Sequence, residues 1–235
     1  MSGYSAFIRG ETIDLCVPSR LAIERDGWAD WFNDLENIRF LDHGVFPNFI
    51  EDQYEFLNSL RDRSRLALLI KPRDMKNVIG IVSLSTIKWI ARSAQIAIVI
   101  GRRDESTKGK LYALEAMARM TEHAFETLGL DRLWAGQAYP GLKKWNKHLE
   151  LLGYRTEAVM RRSFVKGRMV SDAVMISCLF ENYREIRKLR NGRFWMGARS
   201  MKDLLDNMPA DGLAERLDAL IQEETEKYFK ELKLY

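Results

Sequence analysis

The sequence predicts an α/β (α+β) protein: a mixed, mostly antiparallel twisted sheet of about seven strands, flanking helices and a helical C-terminal extension. Segments rich in β-branched residues alternate with segments of helical periodicity. Three consecutive strand-like segments are separated only by short turns, which favours an antiparallel meander. The strand pattern ends at Leu179 and only helical patterns follow. We therefore expect a domain over residues 1–180 and an extension over residues 181–235.

The composition is that of a folded, soluble domain. The chain has 235 residues, of which 46% are hydrophobic, and this is enough to bury a substantial core. The longest apolar runs, such as Ile96–Ile100, are too short to span a bilayer, and no secretory signal is recognised, so a cytoplasmic location without membrane contact is expected. Cys16 and Cys178 have no metal-ligand spacing, so we expect buried free thiols and no metal.

The net charge of +4 is modest. Basic residues concentrate between Arg184 and Arg199, but this pattern is typical of a solvated helix face and linker, so nucleic acid is not an expected partner.

The N-terminal half reads as follows. A strand over Phe7–Val17 is interrupted at Gly10-Glu11. An amphipathic helix over Leu21–Leu35 follows, then a loop over Arg39–Asn48 and a second helix over Glu51–Arg61.

The central part contains the meander and the clearest helix pattern of the chain. The remaining predicted elements are the strands Leu66–Ile70, Val78–Ile87, Gln95–Ile100 and Leu133–Ala138, the helices Lys110–Leu128 and Gly141–Leu152, the hairpin Arg155–Phe164 with Met169–Leu179, and the tail helices Glu181–Arg190, Ser200–Asp206 and Asp211–Tyr235.

The connection from Ile100 to the long helix is suited to binding an anion. The loop Arg102–Gly109 is polar and basic and leads directly into the helix. A helix start has unpaired N–H groups and the positive end of the dipole, so a phosphate or pyrophosphate is stabilised there. An ordinary strand-to-helix connection has the same pattern, and this alternative stays open at the level of the residues alone.

The surrounding residues resemble motif A of the GNAT N-acetyltransferases, in the branch of ribosomal-protein N-terminal and amino-sugar acetyltransferases. The resemblance lies in Ala94–Gly101 and Lys108–Ala116, in Leu128–Leu133, in Glu150–Tyr154, and in an early substrate-side helix, Trp31–Leu41. Together these segments extend over residues 7–180, and their joint order is specific.

The resemblance implies an acyl-CoA-dependent enzyme, with acetyl-CoA as acyl donor. The strands Gln95–Ile100 and Leu133–Ala138 are expected to splay apart and admit the pantetheine arm. Backbone groups of one strand and the N–H groups of the phosphate loop would bind the coenzyme, and Trp145 falls at a coenzyme-contacting position of the later helix. The implied coenzyme residues are Ile98, Val99, Ile100, Lys108, Gly109, Lys110, Leu111, Tyr112, Ala113 and Trp145.

Several residues depart from the family pattern. Leu111 stands where the phosphate loop usually has its first Gly, and Leu142 and Trp145 replace the usual Asn and Ser. The Tyr often used as general acid would fall at Leu149. Gln95 stands where a Glu base is frequent; a glutamine cannot accept a proton at neutral pH, but it can orient a water molecule.

The acceptor side is predicted from the loop between the first two helices. His43 has a suitable pKa for a general base and Asp42 could orient it, although a solvated loop pair explains these residues equally well. Trp31, Phe40 and Trp89 are candidate walls of an acceptor pocket, with core packing as the alternative.

The predicted function is acetyl transfer to a primary amine of a small-molecule acceptor, first an amino sugar or sugar nucleotide. The alternatives are a protein N-terminal acetyltransferase and a non-catalytic GNAT-fold binding or assembly module. The apolar stripe of the last helix predicts that the extension either forms a homodimer or caps the acceptor site.

Overall fold

The structure is a computed structural model that describes residues 3–41, 44–103, 105 and 107–232. Within these residues, eight strands form one sheet in the order β1-β2-β3-β4-β5-β6-β8-β7. The strands are β1 (Ala6–Arg9), β2 (Ile13–Cys16), β3 (Leu66–Pro72), β4 (Gly80–Lys88), β5 (Ser93–Ile100), β6 (Arg132–Tyr139), β7 (Arg155–Lys166) and β8 (Met169–Leu179). Neighbouring strands are antiparallel except β5 and β6, which are parallel.

Helices connect the strands and follow them. They are α1 (Arg20–Asp26), α2 (Leu35–Ile38), α3 (Ile50–Ser59), α4 (Tyr112–Glu126), α5 (Lys143–Glu150), α6 (Phe180–Leu189), α7 (Ala198–Asp206) and α8 (Leu213–Glu231). The predicted order of elements and the α/β class are confirmed, with two local differences described next.

The sheet has eight strands because the first predicted strand is a hairpin: its Gly10-Glu11 interruption is a turn between β1 and β2. The first predicted helix is also shorter than expected. It ends at Gly27, which adopts a left-handed conformation with φ of 71°, and only a 3-10 turn and the short α2 follow. The periodicity of apolar residues continued through this break and so concealed it.

The sheet is covered on both faces because successive side chains of a strand point to opposite sides. In β3, Leu68 and Ile70 pack in the main core cluster with α4. Ala67 and Leu69 pack in a second cluster with α1 and α3. The molecule therefore has three layers, with α4 and α5 on one face and α1 to α3 on the other.

The extension is part of the main core. Phe194, Trp195, Met201 and Ala214 are at most 6% exposed and belong to the same cluster as α4. By contrast, residues 219–232 at the end of α8 are all exposed. No helix in the described part of the chain combines the length and apolar character needed to cross a bilayer.

Candidate active site

The two parallel strands in the middle of the sheet separate soon after they meet. β5 pairs with β6 only from Ser93 to Gln95, whereas it pairs with β4 along its length as far as Ile100. β6 pairs with β8 as far as Tyr139. Because each strand stays bound to its outer neighbour, a V-shaped opening lies between β5 and β6. The predicted splay is therefore present, and Gln95 lies at its vertex.

The long helix α4 begins at the open end of this V. Its N-cap is Leu111, which has no side-chain hydrogen bond to the first turn, and the carbonyl of Leu111 accepts from the Glu115 N–H at 2.8 Å. The preceding Gly109 has φ of 69°, a left-handed conformation that favours glycine. The first N–H groups of α4 thus lack a side-chain cap, and the positive end of the helix dipole is directed at the loop.

A buried carboxylate holds this helix start in place. Glu115 is 0% exposed and accepts hydrogen bonds from the Glu11 N–H at 2.5 Å and the Thr12 N–H at 2.9 Å. The Thr12 hydroxyl and the Arg119 guanidinium also donate to it. Glu115 therefore joins α4 to the β1–β2 turn, so the helix start has a fixed position relative to the sheet.

A basic cavity of about 590 Å³ adjoins the helix start. It is lined by Thr12, Arg73, Asp74, Gly109, Lys110, Leu111, Tyr112, Ala198, Arg199 and Lys202. Tyr112 donates its hydroxyl to Asp74 at 2.8 Å, and burial together with this carboxylate raises the pKa of Tyr112 to about 12. The lining contains four cationic side chains and one carboxylate, so the cavity favours an anion.

The opposite face of the V is bordered by the segment Trp31–Leu41, which contains α2. The Trp31 ring lies against Gly101, immediately after β5, so closely that a Cβ at this glycine would clash with it. Asn37 donates to the Gly101 carbonyl at 2.8 Å. Phe40 lies in the same way against Gly141, just after β6. The segment thus extends from the end of one splayed strand to the end of the other.

Lys166, in the β7–β8 hairpin, fixes the end of this segment. Its ammonium donates to the carbonyls of Ile38 at 2.6 Å and Leu41 at 2.8 Å. The chain therefore enters the predicted acceptor-side loop next to the open end of the V. The two predicted acid–base residues, Asp42 and His43, come next in the sequence and lie outside the described residues.

Comparison with protein families gives the decisive match. The acetyltransferase (GNAT) domain family matches residues 19–138, just over half of the chain. The chain belongs to the GNAT acetyltransferase family. It is therefore an acyl-CoA-dependent N-acyltransferase, with acetyl-CoA as its donor. Comparison with curated proteins gives no match.

Solved acetyltransferase structures have the same fold. A spermidine N-acetyltransferase from Vibrio cholerae, in complex with CoA and spermine, aligns with a TM-score of 0.64 and 21% identity over 74% of this chain and 99% of that chain. A microcin C7 self-immunity acetyltransferase, in complex with acetyl-CoA and AMP, aligns with a TM-score of 0.60 and 20% identity over 72% and 93%. At these identities the likeness concerns the fold.

The structure brings together most of the residues predicted for the GNAT site. Ile98, Val99 and Ile100 lie on the splayed part of β5, Gly109 to Tyr112 line the cavity, and Ala113 follows in the first turn of α4. Lys108 is exposed and pairs with Glu105 at 3.3 Å. Trp145 lies on α5 and packs against the main core.

Trp89, predicted as a wall of the acceptor pocket, does not lie at the open end of the V. It lies in the β4–β5 turn and is 53% exposed, at the end of β5 opposite to Gly101. Within the described residues, no group of three or more His, Cys, Asp or Glu side chains is placed to hold a metal ion. Both cysteines are buried free thiols, and burial raises the pKa of Cys178 to about 12.

Three residues of interest had not been predicted from the sequence. Asn146 on α5 is 4% exposed, and neither atom of its amide has a hydrogen-bond partner. It lies four residues after Leu142, one helical turn from the position of the family's asparagine. Arg199 and Lys202 reach the cavity from α7. Asn146 had a local signal, a polar residue on the apolar side of a helix. Arg199 belonged to the basic stretch that we interpreted as a solvated helix face and linker, and Lys202 had no signal.

Proposed function

We propose that this acetyltransferase transfers the acetyl group of acetyl-CoA to a primary amine of a small-molecule acceptor, an amino sugar or a sugar nucleotide. The observation that carries the proposal is the V between β5 and β6. Helix α4 and its basic cavity lie on one side of it, and the segment Trp31–Leu41 lies on the other. A donor with phosphates and an amine acceptor would thus approach the same opening from opposite faces of the sheet.

The donor side depends mainly on backbone groups. Past Gln95, β5 is not paired with β6, so its backbone polar groups on that edge are available to the amides of a pantetheine arm. Backbone N–H groups near Val99 would stabilise the oxyanion formed when the amine attacks the thioester carbon. The uncapped start of α4 and the basic cavity would hold the phosphates.

Asn146 adds a polar side chain on α5. A buried amide without a partner is costly, and the amides of a pantetheine arm have the complementary donors and acceptors. Its neighbours Trp145 and Leu149 belong to the main core on the α4 side of the sheet, which supports a position beside the donor.

The reacting amine must lose a proton. In the proposal His43 accepts it as general base, Asp42 orients the imidazole, and Gln95 at the vertex of the V orients a water molecule. The fixed carbonyls of Ile38 and Leu41 support this assignment, because Lys166 holds the chain that leads into the loop.

Aromatic and basic side chains on the acceptor side support a sugar or sugar-nucleotide acceptor. The Arg39 guanidinium lies 5.2 Å from the Phe40 ring, and Phe40 packs against Phe164 with ring centroids 6.5 Å apart. Trp31 does not add to this surface, because it is 5% exposed and packs in the core cluster of α1 and α3. Aromatic faces pack on sugar rings, and cations favour phosphates.

An acceptor screen tests the proposal. Purified protein is incubated with acetyl-CoA and one acceptor at a time, and free thiol is measured; the acceptors are amino sugars, sugar nucleotides with a free amine, a polyamine and a peptide with a free N-terminus. We expect turnover with the first two classes. Turnover with only the peptide or the polyamine would refute an amino sugar or sugar nucleotide as the acceptor. Binding of acetyl-CoA without turnover of any acceptor would favour the non-catalytic module.

Two variants test whether His43 is the general base. His43→Ala should lower kcat with little change in acetyl-CoA affinity. His123→Ala is the control, because His123 is a half-buried histidine on α4 that packs against Phe7 with ring centroids 5.4 Å apart. An unchanged kcat in His43→Ala would remove His43 from the mechanism.

A further inference from the structure

Helix α7 of the extension bridges the two helices that border the donor side of the V. At its start, the Trp195 indole N–H donates to Glu11 at 2.7 Å and the Ala198 N–H donates to the same carboxylate at 3.0 Å. This fixes α7 beside the β1–β2 turn, to which Glu115 also joins the start of α4.

The segment after α7 is fixed to α5. Lys147 donates to the Ala210 carbonyl at 3.3 Å, and the Leu213 N–H donates to Glu150 at 2.7 Å. Between the two attachments Met201 is 0% exposed and belongs to the main core. Helix α7 is therefore held at both ends and in the middle, and its side chains have defined positions relative to the cavity.

Two basic residues of α7 face the cavity. Arg199 and Lys202 are three residues apart, so they lie on the same side of the helix, and both line the cavity. Within the described part of the chain, no carboxylate forms an ion pair with either residue. Across the cavity, Lys110 and Arg73 add two more cations.

The one carboxylate in the lining does not neutralise this charge. Asp74 accepts the Tyr112 hydroxyl and lies 3.9 Å from the Lys110 ammonium, so it is already engaged. Arg73 is paired with Asp14 at 3.0 Å. The unpaired positive charge of the cavity is thus supplied by Arg199 and Lys202 of the extension. The same cavity is lined by Leu111, which replaces the usual glycine of the phosphate loop.

We propose that Arg199 and Lys202 of the C-terminal extension bind a phosphate group of the acyl-CoA donor in the cavity at the start of α4. This inference rests on the proposed function for its donor. The extension then completes the donor site, with side-chain cations added to the backbone N–H groups of α4. The guanidinium and the ammonium both donate to phosphate oxygens, and the pair supplies two charge-assisted contacts.

The test compares the full-length protein with two double variants that remove the same charge. Arg199→Ala with Lys202→Ala changes the cavity, and Lys188→Ala with Arg193→Ala is the control, because these two residues are exposed elsewhere on the extension. Binding of CoA, dephospho-CoA and 3′,5′-ADP is measured by calorimetry at low and high salt. Circular dichroism and thermal unfolding verify that both variants are folded.

We expect the cavity variant to bind CoA about 10-fold more weakly than the control variant. Each exposed charge pair that is lost raises the dissociation constant by up to about 5-fold. The salt dependence of binding should also decrease. Loss toward CoA but not dephospho-CoA would assign the 3′-phosphate, and equal loss toward both would assign the pyrophosphate.

Equal CoA affinities of the two double variants would overturn the inference. The proposed function fails separately, if the wild-type protein binds neither CoA nor dephospho-CoA. In that case binding of 3′,5′-ADP that is lost in the cavity variant alone would still support the phosphate site.

Discussion

Replacing Asn146 by leucine should make the protein more stable and a weaker binder of acetyl-CoA. The side chain is 4% exposed, and both polar atoms of its amide are unpaired. A buried polar group without a partner costs about 1–3 kcal/mol, and leucine of similar size removes this cost. For a chain of this length the corresponding rise in Tm is about 2–12 °C.

The same substitution removes the hydrogen bonds that Asn146 would make with the donor. One neutral hydrogen bond contributes about 0.5–1.5 kcal/mol, so acetyl-CoA should bind roughly 2- to 10-fold more weakly. Thermal unfolding with and without acetyl-CoA measures both effects at once. The variant should have the higher Tm without ligand and the smaller rise in Tm on adding ligand.

The matched control is Asn182→Leu. Asn182 is also a buried helical asparagine, 7% exposed, but its side chain accepts from the Leu179 N–H at 3.1 Å at the start of α6. Removing this bond should lower stability by about 1 kcal/mol and leave acetyl-CoA binding unchanged. A loss of stability in Asn146→Leu, together with unchanged coenzyme affinity, would refute the reasoning.

Three further predictions concern the framework of the site. Glu115→Gln should lower the free energy of unfolding by about 3 kcal/mol in urea titrations, because it removes a fully buried charge that accepts from four donors. A loss no larger than that of the control Glu122→Gln would contradict this prediction. The raised pKa of Tyr112 means that the folded state favours the protonated hydroxyl, so the stability from this group is complete below pH 10 and is lost as the pH rises toward 12. Tyr112→Phe should therefore lose less stability over this pH range than the wild type. An unchanged dependence of stability on pH would exclude Tyr112 as its source. Gly101→Ala should destabilise the protein by about 1–3 kcal/mol because the new methyl group clashes with Trp31. The control Gly109→Ala meets open space and should cost about 1 kcal/mol from its positive φ alone. Equal losses of stability in thermal unfolding would contradict the expected clash with Trp31.

Much of the fold could be predicted because its signals are local. The β-branched segments, the turns between them and the apolar period of α4 each depend on a few neighbouring residues, and all these elements are present in the structure. The loop before α4 was predicted as an anion site from the same kind of signal. The break at Gly27 was missed because an apolar period can continue across a bend that retains the same buried side.

The sequence by itself determined the order of strands and helices and the family resemblance, and it predicted the segment that would hold the donor. The family resemblance predicted that these two strands separate, but only the tertiary structure decided that they do so after Gln95, because the point of separation depends on pairing with β4 and β8 at distant positions. The same holds for Arg199 and Lys202. Their contribution to the cavity depends on Trp195 and Ala198 reaching Glu11, a contact between residues more than 180 positions apart that no local pattern encodes.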